Sequence, residues 1–451
     1  MKRIVVVALL MFANDDGAIS HVLNRVTFGP RPGDVERVRA MGVARYLDLQ
    51  LHPERIPEGR IGDAPGTEQG RSRDGAGTQW GRSRDGAGTQ WGRSRDGDVP
   101  VPAPSPDSSP DDLAKAKVLR AVYSERQLEE VLTDFWFNHF NVDARKGPDR
   151  LMIAEYERDA VRPRVFGRFR DLLEATAKSP AMLFYLDNWM SVDPNIDEGP
   201  RRRRGLNENY ARELMELHTL GVDGGYTQQD VTEVARCFTG WTIDRPRENG
   251  PFRFAPRLHD FGRKVVLGHT IAAGGGESDG ERVLDILASH PSTARFIATK
   301  LARRFISDTP PPAIVDRAAK RFRDTGGDLR DVVRTILTSR EFLSPDAYGA
   351  KVKTPFEFVI SALRATGADV GDATPIVRAL QQLGMPLYQC QPPTGYKDTA
   401  EAWINTGALV DRMNFAVRLA SGRLSGISIS RPGESADDLA LRLGGPAFQR
   451  R

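Results

Sequence analysis

The sequence predicts a mainly α-helical protein: one large multi-helix domain with a small β-hairpin insert and a disordered loop that contains a repeat. Apolar residues recur at helical spacing along most of the 451 residues, for example over 16–51 and 111–140. This period is lost between Phe252 and Leu267, where short strands fit the pattern better. An eleven-residue repeat follows Ile61, and its composition cannot cover a continuous apolar core.

The N-terminus has the first two parts of a secretory signal. Its first three residues carry two positive charges and residues 4–13 are apolar, but no clean cleavage site follows. We therefore predict a leader segment at 1–13 and a periplasmic or extracellular location. A buried N-terminal segment and a cytoplasmic location are the alternative. No other run approaches the roughly 18 apolar residues that a membrane span requires, so no transmembrane span is predicted.

Residues 14–61 predict the first helices of the domain, which Pro30 and Pro32 divide. Residues 62–110 predict a disordered insert. The unit GRSRDGAGTQW occupies 70–80 and recurs unchanged at 81–91, and a stretch rich in proline and serine follows. The alternative for this insert is contact with a polyanion through the arginine and tryptophan side chains of each repeat.

Residues 111–422 predict the main helical domain. Thr227 followed by Asp230 has the spacing of a capping box, and Ser278 with Glu281 marks the start of a later helix. Residues 252–267 read as two strands joined by a turn at His259-Asp260. Further helices are expected near 355–367, 374–383 and 403–420, and the tail 423–451 is expected to be loosely ordered.

Composition and motifs exclude several classes of protein. The 64 basic residues nearly cancel the 60 acidic ones, which makes nucleic acid an unlikely partner. Cys237 and Cys390 have no CxxC spacing, which excludes a cysteine-based zinc site and a disulfide-dense scaffold. The sequence contains no GxSxG, HExxH or P-loop motif, so the commonest hydrolase and nucleotide sites are absent.

The acidic segment Asn207–Gly221 is the densest group of polar residues with helical spacing. On a helix, three carboxylates and one arginine share an arc of about 140°. These side chains are Glu208, Glu213, Glu216 and Arg212, with Asn209 among them. A solvated surface with i,i+4 ion pairs explains this pattern. The nearby amides and the turn GVDGGYT leave open a site for a divalent metal or a carbohydrate.

Two histidine positions are also candidates for a functional role. His139 lies in the aromatic stretch FWFNHF, where a core histidine bonded to the main chain is the favoured interpretation. His259-Asp260 lies in an expected loop, where it fits a metal ligand or general base, although turns also favour aspartate for local hydrogen bonding.

Several of these motifs occur together in one known family. Six motifs stand in the order seen in the bacterial family catalogued as domain of unknown function 1800. They are HVLNRVTFGPRPGD, FWFNHFNV, LNENYARELMELHTLGVDGGYTQQDVTEVARCFTGW, HDFGRK, PFEFVISALRATG and QPPTGYKDTAEAWINTGALVDRMNFA. The sequence resembles that family over nearly its whole length, apart from the repeat insert and the tail. The resemblance implies a mostly helical, often exported protein without an established reaction. It also implies a gene neighbour that resembles alkaline phosphatases and sulfatases.

Residues that match the distinctive motifs are the candidate site, and their chemistry suits one polar cleft. The expected catalytic residues are Glu208, Glu213, Arg212, His218, His259 and Asp260. The expected substrate-binding residues are Trp136, His139, Asn209, Trp241, Lys264 and Tyr396. The cofactor is unknown, with a divalent metal left open. One hypothesis is an enzyme that acts on an envelope or extracellular polymer such as a carbohydrate. The other is a non-catalytic partner or assembly factor for an exported phosphatase-like or sulfatase-like protein.

Overall fold

The computed structural model describes residues 15–57, 108–196, 205–429 and 433–451. Eighteen α-helices lie in these parts of the chain, which confirms the mainly helical fold class. The first nine are α1 Asp16–Val26, α2 Asp34–Met41, α3 Val43–Gln50, α4 Pro110–Tyr123, α5 Gln127–His139, α6 Asp149–Glu155, α7 Phe169–Ala177, α8 Pro180–Tyr185 and α9 Glu208–Glu213. The other nine are α10 Gln228–Cys237, α11 Ser278–Ser289, α12 Pro291–Phe305, α13 Pro312–Asp324, α14 Leu329–Leu337, α15 Pro355–Ala365, α16 Thr374–Gln382, α17 Thr406–Ala420 and α18 Ala436–Gly444.

The described strands form three small antiparallel pairs. They are β1 Trp241–Ile243 with β2 Phe252–Phe254, β3 Lys264–Val266 with β4 His269–Ile271, and β5 Asp369–Val370 with β6 Ile427–Ser428. The expected hairpin with its turn at His259-Asp260 is therefore wrong. The segment 252–267 belongs to two hairpins, and the second one turns at Leu267 and Gly268, which both have positive φ. The residues around His259 connect the two hairpins.

Local side chains define where many helices begin. Ser109 accepts a hydrogen bond from the main chain of Asp112 and so starts α4. Thr227 and Asp230 form the expected capping box at α10. A second capping box, formed by Thr354 and Glu357, starts α15. Most of these starts depend on residues within one helical turn, which explains why the sequence shows them.

Some expectations concern segments outside the described residues. The leader at 1–13 and residues 62–107 of the repeat insert lie there, as do the four arginines at 201–204. At the end of the expected insert, residues 108–110 are described, and α4 begins at Pro110. Among the described helices, none is both long enough and apolar enough to cross a membrane.

The tail was expected to be loosely ordered, and this is wrong for residues 433–451. Ser435 caps α18, and Leu439 and Leu443 of that helix are buried in its packing with α17. The chain then returns to the core, where the main chain of Arg451 exchanges two hydrogen bonds with Lys351. The low apolar content of the tail hid this packing, because α18 buries one narrow face.

Helix α15 lies at the centre of the core, and all of its residues except the last are buried. Its two charged side chains, Glu357 and Arg364, must therefore find partners inside the protein. Arg364 donates to the main-chain oxygens of Gly29 and Val122 and lies 3.4 Å from Asp34. This helix thereby connects the N-terminal helices to the rest of the domain.

We predict that Asp149→Asn reduces the pH dependence of stability. Asp149 is fully buried and neither carboxyl oxygen has a hydrogen-bond partner among the described residues, and burial raises its pKa from 3.8 to about 9. Between these two values the unfolded carboxyl is ionised while the folded one keeps its proton. Stability therefore falls as the pH rises through this window, by at most about 1.4 kcal/mol per pH unit.

Urea unfolding followed by circular dichroism from pH 5 to pH 8 measures this effect. The Asp149→Asn protein should lose less stability over that range than the wild type, because asparagine does not titrate. Asp223→Asn, at an exposed position, serves as the matched control. Equal slopes for the wild type and Asp149→Asn would contradict a buried neutral carboxyl.

Candidate functional site

A cavity of about 320 Å³ lies between the end of α5, helix α12, the start of α15 and the segment 394–401. We call it the charged cleft, because eight of its lining residues are Asp, Glu, Lys or Arg. The residues that line it are Asp134, Phe135, Asn138, His139, Lys300, Arg303, Arg304, Thr354, Glu357, Met385, Thr394, Tyr396, Lys397, Asp398, Thr399 and Glu401. Two of the expected site residues, His139 and Tyr396, meet here.

His139 closes the inner end of α5 and is buried. Its Nε2 lies 3.1 Å from the main-chain oxygen of His218, while its Nδ1 has no partner within the described residues. Burial, together with the nearby Lys300 ammonium, lowers its pKa well below the ordinary value, so the ring is neutral. The core histidine expected from the sequence is confirmed, and it also lines the cleft.

His218, whose main-chain oxygen bonds to His139, lies in a π-helical turn. The expected helix over 207–221 is instead α9 followed by a π turn, Leu214–Thr219. In that turn the main chain of Leu220 bonds to the oxygen of Met215, five residues earlier. Such turns leave main-chain groups without their usual helical partners and are frequent at functional sites. The single continuous α-helix expected from the sequence therefore ends at Glu213, and the π turn begins at the next residue.

A clamp of asparagine side chains fixes the loop of residues 389–396. Asn138 donates to the oxygen of Tyr396 and accepts from its nitrogen, at 2.8 and 2.7 Å. Asn141 donates to the oxygens of Cys390 and Pro392. Gly395 has a φ of 70°, and a Cβ there would overlap the main-chain oxygen of Asn138. The asparagines and the glycine of two separate motifs thus form one structural unit.

Two cations on α12 face the cleft without a carboxylate partner. Lys300 is half-buried, and its Nζ lies 5.5 Å from the centre of the Phe296 ring. Burial lowers its pKa to about 8, although Asp398 opposes this shift. Arg303 donates from Nε to the main-chain oxygen of Asp308. Within the described residues, neither cation lies within 4.0 Å of a carboxylate.

Three of the four carboxylates that line the cleft, in contrast, already have cations. Asp134 lies 2.7 Å from Lys117, and Asp398 lies 3.0 Å from Lys351. Glu357 contacts Arg304 and lies 3.0 Å from Nε of Arg451. Glu401 is exposed at the rim.

Further positive charge is buried behind Glu357. Arg25 is fully buried and donates from Nη2 to the oxygens of Ile306 and Ala347, but its Nε and Nη1 have no partner in the described residues. Burial and the charge of Arg451 lower the pKa of Arg25 well below its usual value. Burial and the charge of Arg304 lower the pKa of Arg451 to about 10. Positive charge therefore exceeds negative charge at this end of the cleft.

Asn209 and Glu213 line a second cavity, of about 750 Å³, which we call the acidic pocket. Its lining residues are Asp143, Arg145, Lys146, Tyr185, Leu186, Asn209, Glu213, Gln391 and Pro393. Glu213 is half-buried, and burial together with the Glu216 carboxylate raises its pKa. It has no hydrogen bond or ion pair with another described residue.

Glu208 and Arg212 belong to a surface network rather than to either cavity. Glu208 accepts from Gln228 at 2.7 Å and from Thr232 at 2.8 Å, and it lies 3.4 Å from Arg212. For Glu208 and Arg212, the structure therefore shows the i,i+4 ion pair of a solvated helix face, which is one of the interpretations that the sequence left open. His218 is buried, and burial and Lys300 lower its pKa to about 3.

His259, Asp260 and Lys264 form a closed, buried network. Lys264 Nζ and His259 Nε2 lie 2.6 and 3.2 Å from the same oxygen of Asp279. His259 Nδ1 lies 2.7 Å from the oxygen of Thr239. Asp260 pairs with Arg236 at 2.7 Å. His259 and Asp260 do lie in a loop, as expected, but both are buried, because Asp279 on α11 and Arg236 supply partners that local sequence does not show.

The two tryptophans that were expected to bind substrate are instead packed in the core. Trp241 is fully buried beside Phe238, and Gly280 approaches its ring so closely that a Cβ would overlap it. Trp136 is fully buried edge-on to His139 and stands behind the cleft. The expectation of one polar cleft is therefore wrong, since the twelve residues divide among two cavities, a surface network, a closed network and the core.

Sequence reasoning missed Lys300, Arg303, Arg304 and Glu357. A signal exists for three of them, because the basic run KLARRF ends a helix whose other face is apolar. Within residues 15–57, 108–196, 205–429 and 433–451, no group of three or more His, Cys, Asp or Glu side chains is placed to hold a metal ion.

Comparisons with known proteins identify a family. A family model described as "Protein of unknown function (DUF1800)" matches residues 21–451, nearly the whole chain. This match confirms the resemblance seen in the motifs. No curated protein and no solved structure matches the chain.

We predict that Asn138→Ala releases the loop of residues 389–396. The change removes both hydrogen bonds to Tyr396, so the free energy of unfolding should fall by roughly 1–3 kcal/mol. Hydrogen exchange measured by mass spectrometry should become faster in that loop.

Asn24→Ala is the control, since Asn24 donates within α1 to Ser20 and lies in a different part of the chain. Unchanged exchange of residues 389–396 in Asn138→Ala would show that the clamp does not hold the loop.

Proposed function

The chain belongs to this family of unknown function, and we propose that it binds an anionic ligand in the charged cleft, with Lys300 and Arg303 as the anchoring cations. One observation carries the proposal: the inner carboxylates of the cleft are each paired with a cation, whereas these two cations have no carboxylate partner among the described residues. A half-buried charge without a partner is costly, and a bound anion would remove that cost.

The buried arginines behind the cleft support the same sign of ligand. Arg25, Arg304 and Arg451 surround Glu357, and the first and last of them retain buried N–H groups without an acceptor. Their combined field reaches the cleft through a low-dielectric interior and therefore acts over a longer distance than it would in water. An anion in the cleft would be stabilised by this field, whereas a cation would be repelled.

The size and lining of the cleft suit one charged group of a larger molecule. A cavity of about 320 Å³ is at the lower end of the range for small-molecule sites. Phe135, Met385 and Tyr396 provide apolar and aromatic surface beside the cations. An oligomeric or polymeric ligand that inserts one anionic substituent fits this arrangement.

An enzymatic role at the same cleft is the second candidate, with an anionic polymer of the envelope or the extracellular space as substrate. The observation that favours it is the pKa of Lys300, about 8, which allows proton transfer near neutral pH. The neutral His139 ring, whose Nδ1 has no partner among the described residues, adds a hydrogen-bond acceptor. The export expected from residues 1–13 belongs to this proposal. A non-catalytic partner of an exported phosphatase-like protein would use the cleft for binding without proton transfer.

We predict that Lys300→Gln weakens the binding of sulfate about 10- to 100-fold, as measured by isothermal titration calorimetry. The expected loss is that of one hydrogen bond between charged groups. Sulfate is chosen because it stays fully ionised over the whole pH range used. For the wild type, affinity should fall as the pH rises through about 8, because Lys300 then loses its proton.

Lys300→Arg should retain binding and remove this pH dependence, because guanidinium stays charged. Lys320→Gln is the matched control, since Lys320 is exposed and paired with Asp324. The proposal fails if the wild type does not bind sulfate, or if Lys300→Gln binds it as tightly as Lys320→Gln does.

A further inference from the structure

We propose that the acidic pocket binds a primary ammonium group, so that the ligand of this protein is dipolar, with its anionic end in the charged cleft and its cationic end beside Glu213. This inference rests on the proposed function for its anionic half. Its cationic half depends on residues that the charged cleft does not use.

Charge pairing in the acidic pocket is the reverse of that in the cleft. Arg145 contacts both oxygens of Asp143, at 2.9 and 3.0 Å. Lys146 lies 2.8 Å from Asp187 and also donates to the oxygen of Tyr185. The cations are therefore satisfied, and Glu213 is the lining carboxylate without a partner among the described residues.

Arg212, a cation outside the pocket that affects the ionisation of Glu213, already has partners of its own. Arg212 opposes the effect of burial on the pKa of Glu213, but it lies 3.4 Å from Glu208 and 2.9 Å from Gln228. Glu216 has its own hydrogen bond, from the hydroxyl of Tyr226. Glu213 is thus a half-buried carboxylate to which no described side chain donates a hydrogen bond.

Charge around the acidic pocket is not balanced by its own cations. Three carboxylates, Asp143, Asp187 and Glu213, lie there with two cations, Arg145 and Lys146. Asp149 is buried close to them but adds no negative charge, because burial keeps its carboxyl protonated. A ligand cation beside Glu213 would restore the balance, and an ammonium group provides three donors.

One loop separates the two cavities. Thr394 and Tyr396 line the charged cleft, whereas Gln391 and Pro393 line the acidic pocket. The loop is held from both sides, by Asn138 at Tyr396 and by the Tyr185 hydroxyl at the oxygen of Gln391. This loop therefore lies between the proposed anion site and the proposed cation site. A ligand that crosses the loop would carry opposite charges at its two ends.

Oligoglycines of two to six residues provide the test, because each carries one ammonium and one carboxylate at a spacing that grows by up to about 3.5 Å per residue. Each peptide is compared with its N-acetylated form, which lacks the ammonium. We expect calorimetry on the full chain to find at least one length that binds at least ten-fold more tightly than its acetylated form. Glu213→Gln should abolish that difference while leaving sulfate binding unchanged.

Glu216→Gln is the matched control, because it removes the same charge three residues away, outside the lining of the pocket. The inference is overturned if acetylation has no effect at any length, if no peptide binds while sulfate does, or if Glu213→Gln keeps the difference. Failure of the anionic half gives a different result, since sulfate would then not bind and Lys300→Gln would have no effect.

Discussion

The buried carboxylate of Glu357 connects the segments that form the charged cleft. It accepts from the main chain of Thr354 at the start of α15, contacts Arg304 on α12 and lies 3.0 Å from Arg451. Burial would raise its pKa, but the two arginines keep it below the ordinary value. Buried ion pairs add little net stability, yet removing one partner typically costs about 3–5 kcal/mol because it leaves the other charge alone. Glu357 therefore fixes how α12, α15 and the end of the chain meet.

This arrangement has a consequence for the charge of the site. Four cations, Arg25, Arg304, Arg451 and Lys351, lie here with three carboxylates, Glu357, Asp308 and Asp398. The surplus positive charge lies directly behind the side chains that line the cleft. An apolar core of the same shape would hold the helices together equally well, so fold stability alone does not explain these arginines. The proposed anion would use this charge, which packing does not need.

Sequence patterns predicted what depends on nearby residues. The capping box of Thr227, the helical period and the core position of His139 each rest on spacings of a few residues. Long-range pairing lay beyond such patterns: Arg304 and Glu357 are 53 residues apart, and Lys264 meets Asp279 15 residues away. The π turn after Glu213 was equally hidden, because the apolar spacing of that segment still fits an α-helix. The family motifs do include three residues that line the cleft, Asn138, His139 and Tyr396.

Anomalous diffraction from crystals grown in selenate tests the anion site most directly. Selenate has the shape and charge of sulfate, and its selenium can be located without assumptions about the ligand. A selenium peak in the charged cleft, within hydrogen-bonding reach of Lys300 and Arg303, is the result expected here. A cleft that stays free of selenate, in crystals where other surface sites bind it, would contradict the account.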